Sequence, residues 1–246
     1  MAFFLRALSI LILVTTLFFI SLIFSGQGRT AAFAQWHDLL PRWIIGLSVL
    51  NYFMTGFSSL ANAVRAEQSQ GTLESVLMTP ITLPTLVASS SAWPLVQATF
   101  LSALYPLFGW LFFGVTFRGN IVLALLLLIL TTLVLASIGI LSASFAIVFK
   151  RGDPFGILLG AGSALFSGVF FPVELLGSFN YVSRALPTTY GIAGVSGVLI
   201  EGYGFNEVRQ PLTTLCLFLA ALLPFSLWVF ARAVRRAKRE GSLIQY

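Results

Sequence analysis

The sequence predicts an all-α protein that crosses the membrane several times. Three observations carry this. Only 9% of the residues are charged and 58% are hydrophobic, against roughly 25% charged in a soluble domain, so the chain cannot cover a water-facing surface. Its mean hydropathy is +0.95. Its apolar residues stand in long unbroken runs, not in the alternating segments of about ten residues that build a membrane barrel. These runs give one polytopic domain over residues 1–246 with six transmembrane helices.

The first run, residues 5–24, has Arg6 at its start. Ala32-Phe33-Ala34 offers a cleavage site of the kind that follows a signal peptide. The run exceeds the roughly 7–15 residues of a signal core, and the site lies well beyond it, so a retained span is the reading adopted. A polar loop follows, flanked by Trp36 and Trp43, which suit a membrane interface. The second span, 43–64, contains Asn51, Thr55, Ser58, Ser59 and Asn62. Such polarity disfavours lipid contact, which leaves hydrogen bonding between helices or contact with a substrate path. Asn51, Thr55, Ser58 and Ser59 are the candidate path residues.

Residues 65–80, RAEQSQGTLESVLMTP, interrupt the apolar pattern. As a helix, Leu73, Val76, Leu77 and Pro80 fall at i, i+3, i+4 and i+7 and share one face. Glu74, Ser75 and Thr79 lie to its side. Such a segment lies on the membrane surface, docks in a groove of a soluble partner, or is a solvated connector with an incidental apolar face.

The third span, 86–115, belongs to a run from Leu83 to Val115. At about 1.5 Å per residue this exceeds a ~30 Å bilayer core, so it tilts, bends or protrudes. Pro84, Pro94 and Pro106 are the places for a bend. The fourth span, 121–149, ends in small residues that include Gly139, Ser142 and Ala143, which permit close helix packing. The fifth, 155–171, places Gly156 and Gly160 four residues apart, a second close-packing face. Residues 172–190 are apolar but broken by Pro172, Gly177 and Pro187. Two short helices that enter the membrane and return would fit, as would an amphipathic surface loop. The last span is 211–231. Cys216, the one cysteine, stands within it and is expected to be a buried thiol. The basic tail that follows is read as a juxtamembrane anchor, not a nucleic-acid patch.

Six spans place both termini on one side. With the termini in the cytoplasm, Arg29, Arg42, Arg118, Arg184 and Arg209 lie outside and the remaining nine of the 14 basic residues lie inside, the direction that the positive-inside rule requires. Residues 65–80 are then cytoplasmic, and 172–190 face outward.

The chemistry excluded is as informative. The two lysines, Lys150 and Lys238, do not follow a glycine, so no GxxxxGK[ST] phosphate loop exists. A single histidine, His37, removes His-cluster metal sites, and no metal is expected. All eight carboxylates fall outside the expected membrane core, with Glu174 at its edge. A proton- or sodium-driven carrier usually needs an ionisable or polar coupling site near the midplane. The chain is therefore expected not to be an enzyme, and its energy source is expected to lie elsewhere.

Three stretches resemble the ABC-2-type exporter permease family. After the second span, that family has an acidic residue, then GTLE, then a closing TP. Glu67, Gly71, Thr72, Leu73, Glu74, Thr79 and Pro80 match. After the fifth span it has FP and later LP-T-Y, matched by Phe171, Pro172, Leu186, Pro187, Thr188 and Tyr190. The tail, with basic residues, GSL and an aromatic, is the third. One departure is Gly177 after Leu176, where the family commonly has proline; it leaves that helix ending open.

The resemblance implies a cytoplasmic coupling helix over 65–80 seated on an ATP-hydrolysing subunit, with Leu73, Val76 and Leu77 filling the partner's groove. It implies a re-entrant helical hairpin over 172–190. It further implies a permease subunit of an ABC exporter in the cytoplasmic (inner) membrane, with a second permease subunit, identical or not, and two ATPase subunits. ATP and Mg would sit on those partners, with no cofactor on this chain, lipid around it and no nucleic acid. Aromatic residues such as Tyr105, Trp110, Phe112 and Phe113 suit an amphiphilic substrate (a drug, a lipid or a lipid-linked glycan), or they are lipid-facing filler among 24 phenylalanines. A secondary carrier or channel without an ATPase partner is the alternative, and a non-transporting assembly subunit is a third reading.

Overall fold

In a computed structural model the apolar runs form a bundle of helices. The structure describes residues 2–26, 39–72, 83–117, 119–149, 161–163, 165–169 and 180–239. In chain order these give α1 (Ala2–Gly26), α2 (Leu39–Gln70), α3 (Leu83–Phe113), α4 (Ile121–Phe149), α5 (Asn180–Ala185), α6 (Pro187–Ser196) and α7 (Arg209–Arg239). A π-helical turn, Gly197–Glu201, follows α6. There is no strand among the described residues. Among the described residues five helices (α1, α2, α3, α4 and α7) are long and apolar enough to cross a membrane, so this is a multi-pass membrane protein. The Gly156/Gly160 face lies outside the described residues.

Side-chain contacts set the helix directions. The rings of Phe3 and Phe100 are 5.2 Å apart, and those of Phe18 and Phe113 4.4 Å apart, so α1 and α3 run parallel. Hydroxyl contacts of Ser48 with Ser102 and of Ser59 with Ser91 make α2 antiparallel to α3. α2, α4 and α7 run the same way. Phe53, Leu127 and Leu215 share one buried cluster, and Val64, Ile147 and Val234 share another further along the same helices. α4 is the central element, packed along α2 and α7, with α6 against its first half. α1 leans chiefly on α3 and keeps most of its surface exposed.

The small residues of α4 have a defined use. A Cβ on Gly139 would fall 2.0 Å from the Phe57 carbonyl oxygen, and one on Gly56 would fall 2.6 Å from the Thr132 methyl carbon. α2 and α4 thus cross almost backbone to backbone. Ser137 and Ser144 are buried nearby, and their hydroxyls donate to Leu133 and Ile140 of their own helix. They fill space without demanding partners elsewhere.

One end of the bundle carries an ion pair between Arg42 and Glu201, N to O 3.1 Å. The other end carries Val64, Ile147 and Val234. α4 finishes at the second end and α7 begins at the first, so residues 150–208 return the chain between them. Along that return, a Cβ on Gly46 would lie 3.2 Å from Val169, near the Arg42 end. Thr188 then donates to the Ser163 hydroxyl at 3.4 Å, and Gly191 lies against Thr131 of α4. α6 therefore starts level with the middle of α4 and climbs to Glu201.

The Arg42–Glu201 side chains remain 33% and 38% exposed. Water screens such a pair, and Arg42→Ala is expected to cost under about 1 kcal/mol. A thermal melt in detergent checks this. Beside the pair, the Tyr203 phenol is held above its ordinary pKa by its hydrogen bond to Glu201 and by that carboxylate's charge. Its neutral form is the one favoured, so this contact is complete below about pH 10 and is lost as pH rises through the raised value.

One expectation changes. Cys216 is exposed on α7, not buried. α7 buries only the face that meets its neighbours (Leu212, Leu215, Phe230 and Val234), and in a membrane protein an apolar neighbourhood in sequence says nothing about burial. Pro94 and Pro106 lie inside α3, which continues as one helix of 31 residues through both, about 46 Å at 1.5 Å per residue.

Candidate coupling and translocation site

The site is built on α2. This helix continues past Val64 to Gln70, roughly 9 Å further at 1.5 Å per residue. Gly71 ends it with φ +72°. The Thr72 N–H donates to the Glu67 carbonyl at 3.0 Å, the six-to-one bond of a Schellman cap. The Thr72 hydroxyl also donates to the Glu67 carboxylate. Glu67, Gly71 and Thr72 are thus one structural unit that fixes where the next segment departs. Leu73, Glu74, Val76, Leu77, Thr79 and Pro80 lie outside the described residues.

A Cβ at Gly71 would meet nothing within 4 Å, so only backbone strain opposes substitution there. Gly71→Ala is expected to cost about 1–2 kcal/mol of left-handed strain, and Gly71→Asn less. Thermal unfolding midpoints in detergent, in the order Gly, Asn, Ala, check the cap.

Midway along α2 the candidate path residues divide. Asn51, Thr55 and Ser58 fall at i, i+4 and i+7 on one stripe, which Asn62 extends. Asn51 and Asn62 are exposed, and Thr55 and Ser58 half-buried. The Thr55 hydroxyl donates to the Asn51 carbonyl at 3.1 Å, and that of Ser58 to the Met54 carbonyl at 2.8 Å. Neither ties α2 to another helix. Ser59 is different. It is buried and shares a hydrogen bond with Ser91 of α3 at 2.9 Å. Ser59 joins two helices, while Asn51 is exposed and the Thr55 and Ser58 hydroxyls bond only within α2.

At α6, Leu186 is the extended N-cap residue, and Pro187 takes the first helical position, where its fixed φ suits helix entry and its missing N–H costs nothing. Pro187 and Thr188 are buried. The Tyr190 hydroxyl donates to the Arg184 carbonyl at 3.0 Å, bridging α5 and α6. Its ring centre stands 6.3 Å from that of Phe218 on α7. Leu186, Pro187, Thr188 and Tyr190 therefore come together as one anchored helix start. Phe171 and Pro172 lie outside the described residues. Among the aromatic candidates, Tyr105 is buried with α1 and α2, whereas Trp110 and Phe112 are exposed on α3. No group of three His, Cys, Asp or Glu side chains gathers among the described residues.

The fold and site define a multi-pass helical membrane protein whose second span ends in a capped, polar segment. A model of the ABC-2 type transporter family matches residues 2–200, most of the 246-residue chain. The chain belongs to that family. It is the membrane-spanning permease component of an ABC-type transporter. No curated protein and no solved structure matches it.

Proposed function

We propose that this permease moves an amphiphile outward across the cytoplasmic membrane, using ATP hydrolysed by a separate subunit. The observation that carries the reading is the continuity of α2. One helix joins the partly exposed polar stripe of Asn51, Thr55 and Ser58 to the cap at Glu67, Gly71 and Thr72. A push on the segment that follows the cap is thereby delivered to the stripe.

In this reading residues 65–70 are the last turns of α2, the cap at Gly71 and Thr72 interrupts the helix expected over 65–80, and the coupling helix is proposed for residues 73–80. Leu73, Val76 and Leu77 fill a groove of the ATPase, Glu67 holds the cap, and Glu74 orients the segment. Two ATPase subunits serve two copies of the permease or a pair of related ones. ATP and Mg bind on the ATPase subunits. ATP favours the closed ATPase pair and shifts the permease toward its outward-open state only through that difference in affinity.

Six crossings are proposed, the sixth within residues 155–171. The return of the chain between the ends of α4 and α7 supports it. The re-entrant hairpin over 172–190 is supported by α6, whose Gly191 lies against Thr131 of α4, well inside the bundle. Cytoplasmic termini are supported by Arg65, Arg232, Arg235 and Arg236 near the Val64 end of the bundle.

An amphiphile suits a path with apolar walls and one polar stripe. An exposed amide in the middle of a span is unfavourable against lipid, which supports a place for Asn51 on a wetted path. In vesicles containing the permease and its ATPase, Asn51→Leu is expected to slow ATP-driven flux of a fluorescent amphiphile while leaving ATPase association unchanged. Unchanged flux would remove α2 from the path.

A further inference from the structure

We propose that the cleft between α3 and α4 is an acyl-chain site, entered sideways from the bilayer by one tail of a membrane phospholipid. α3 and α4 are consecutive in the chain, yet they barely touch. Between them lies a cavity of about 380 Å³, within the roughly 300–1,000 Å³ range of small-ligand sites. Its floor includes Ile45, Ser48 and Val49 of α2 and Ala124 of α4, all buried. Its mouth is formed by Thr99 and Ala103 on one side and Ile121, Leu125 and Ile129 on the other, all exposed.

The chemistry of the lining selects hydrocarbon. Of the four hydroxyls in the lining, those of Ser48, Thr99, Ser102 and Tyr52, the first three are already committed. Ser48 donates to the Ser102 carbonyl at 2.7 Å, and Ser102 returns the bond to the Ser48 carbonyl at 3.0 Å. Thr99 donates to Leu95 at 2.8 Å. Water has little to gain there, because it needs two or more polar partners.

The mouth is continuous with the surface that faces the bilayer. Ile121, Leu125 and Ile129 stand beside Val122, Leu126 and Leu133, all exposed on α4, and across from them Trp110 and Leu111 are exposed on α3. Hydrocarbon tails therefore border the opening. An unfilled apolar cleft forfeits dispersion contacts along its whole lining, and a neighbouring tail recovers them. From Ile121 to Ile129 the wall runs about 12 Å at 1.5 Å per residue, room for part of one chain.

The test uses the full chain in phosphatidylcholine vesicles that carry a photoreactive diazirine on one acyl chain, with adducts mapped by peptide mass. Adducts on Ile45, Ser48 and Val49 of α2 are diagnostic, because those side chains line the cleft and are buried from the surrounding lipid. They are expected there above the level at Val134 and Leu135, buried residues that line no part of the cleft. Ala103→Trp and Leu125→Trp, each plugging the mouth from one side, are expected to lower them several-fold. Labelling of Leu217, exposed on α7, is expected to stay constant and reports equal insertion and labelling, while Val134 and Leu135 staying unlabelled reports an intact fold. Adducts on Ile45, Ser48 and Val49 at the level of Val134, or adducts that both plugs leave unchanged, would overturn the proposal. The first result would mean that the cleft is closed or filled by this chain, and the second that the label arrives by another route.

Discussion

Leu77→Asp is expected to abolish ATP-driven transport while the chain inserts in normal amount. Leu77 lies outside the described residues, and its face is read from its spacing with Leu73 and Val76. Burying a leucine in a partner groove contributes roughly 1.5–3 kcal/mol. Placing a carboxylate in the same groove adds a desolvation cost of comparable size or larger. A combined loss of about 4 kcal/mol weakens docking roughly a thousandfold. In the proposed reading the undocked segment stands in the cytoplasm, so insertion has no reason to change. Flux in vesicles, normalised to the permease present, is the measurement. Glu74→Ala is expected to act in the same direction. Normal transport by both variants at normal expression would remove the groove contact from the mechanism.

Gly139→Leu is expected to prevent folding of the bundle. The Phe57 carbonyl oxygen lies 2.0 Å from where a Cβ would stand. Backbone cannot rotate aside as a flexible side chain can, so α2 and α4 must separate. That separation would open the cluster of Leu60, Ala61, Val64, Ile140, Ala143 and Ile147 along the same two helices. Overpacking of a core costs typically 1–3 kcal/mol, and a clash with backbone lies at or above the upper end. Fluorescence size exclusion in mild detergent should show loss of the monodisperse peak. Gly162→Leu is the control, because a Cβ there meets nothing within 4 Å. Equal behaviour of the two would mean that α2 and α4 do not cross at Gly139.

Hydrophobic run length carries strong information, which is why helices able to cross a membrane are legible from composition alone. The small residues late in α4 are legible too, since close approach is what glycine permits. Which helix approaches is not legible, because the partner, Phe57, lies far away in sequence. The same limit applies to Arg42 and Glu201. The charge pattern places both outside, but only the fold brings them together. Ser58 and Ser59 show the limit at its sharpest. They are neighbours in one polar cluster, yet helix geometry turns Ser59 to Ser91 and Ser58 away. Glu67, Gly71 and Thr72 could have been read as a helix ending from the glycine alone. The apolar spacing of Leu73, Val76 and Leu77 is the stronger signal in that segment, and the bonds of the cap to Glu67 appear only in the structure. Cys216 misled because core and lipid look alike to a hydropathy pattern.

The central claim is that this chain is driven by a separate ATPase. Purification of the tagged chain in gentle detergent, with ATPase activity assayed on the eluate, tests it most directly. The account predicts a co-purifying ATPase subunit whose activity is lost from the eluate when Leu77 becomes Asp. A folded, monodisperse chain that elutes with no ATPase would contradict it, and the polar stripe of α2 would then be sought as the working part of a secondary carrier.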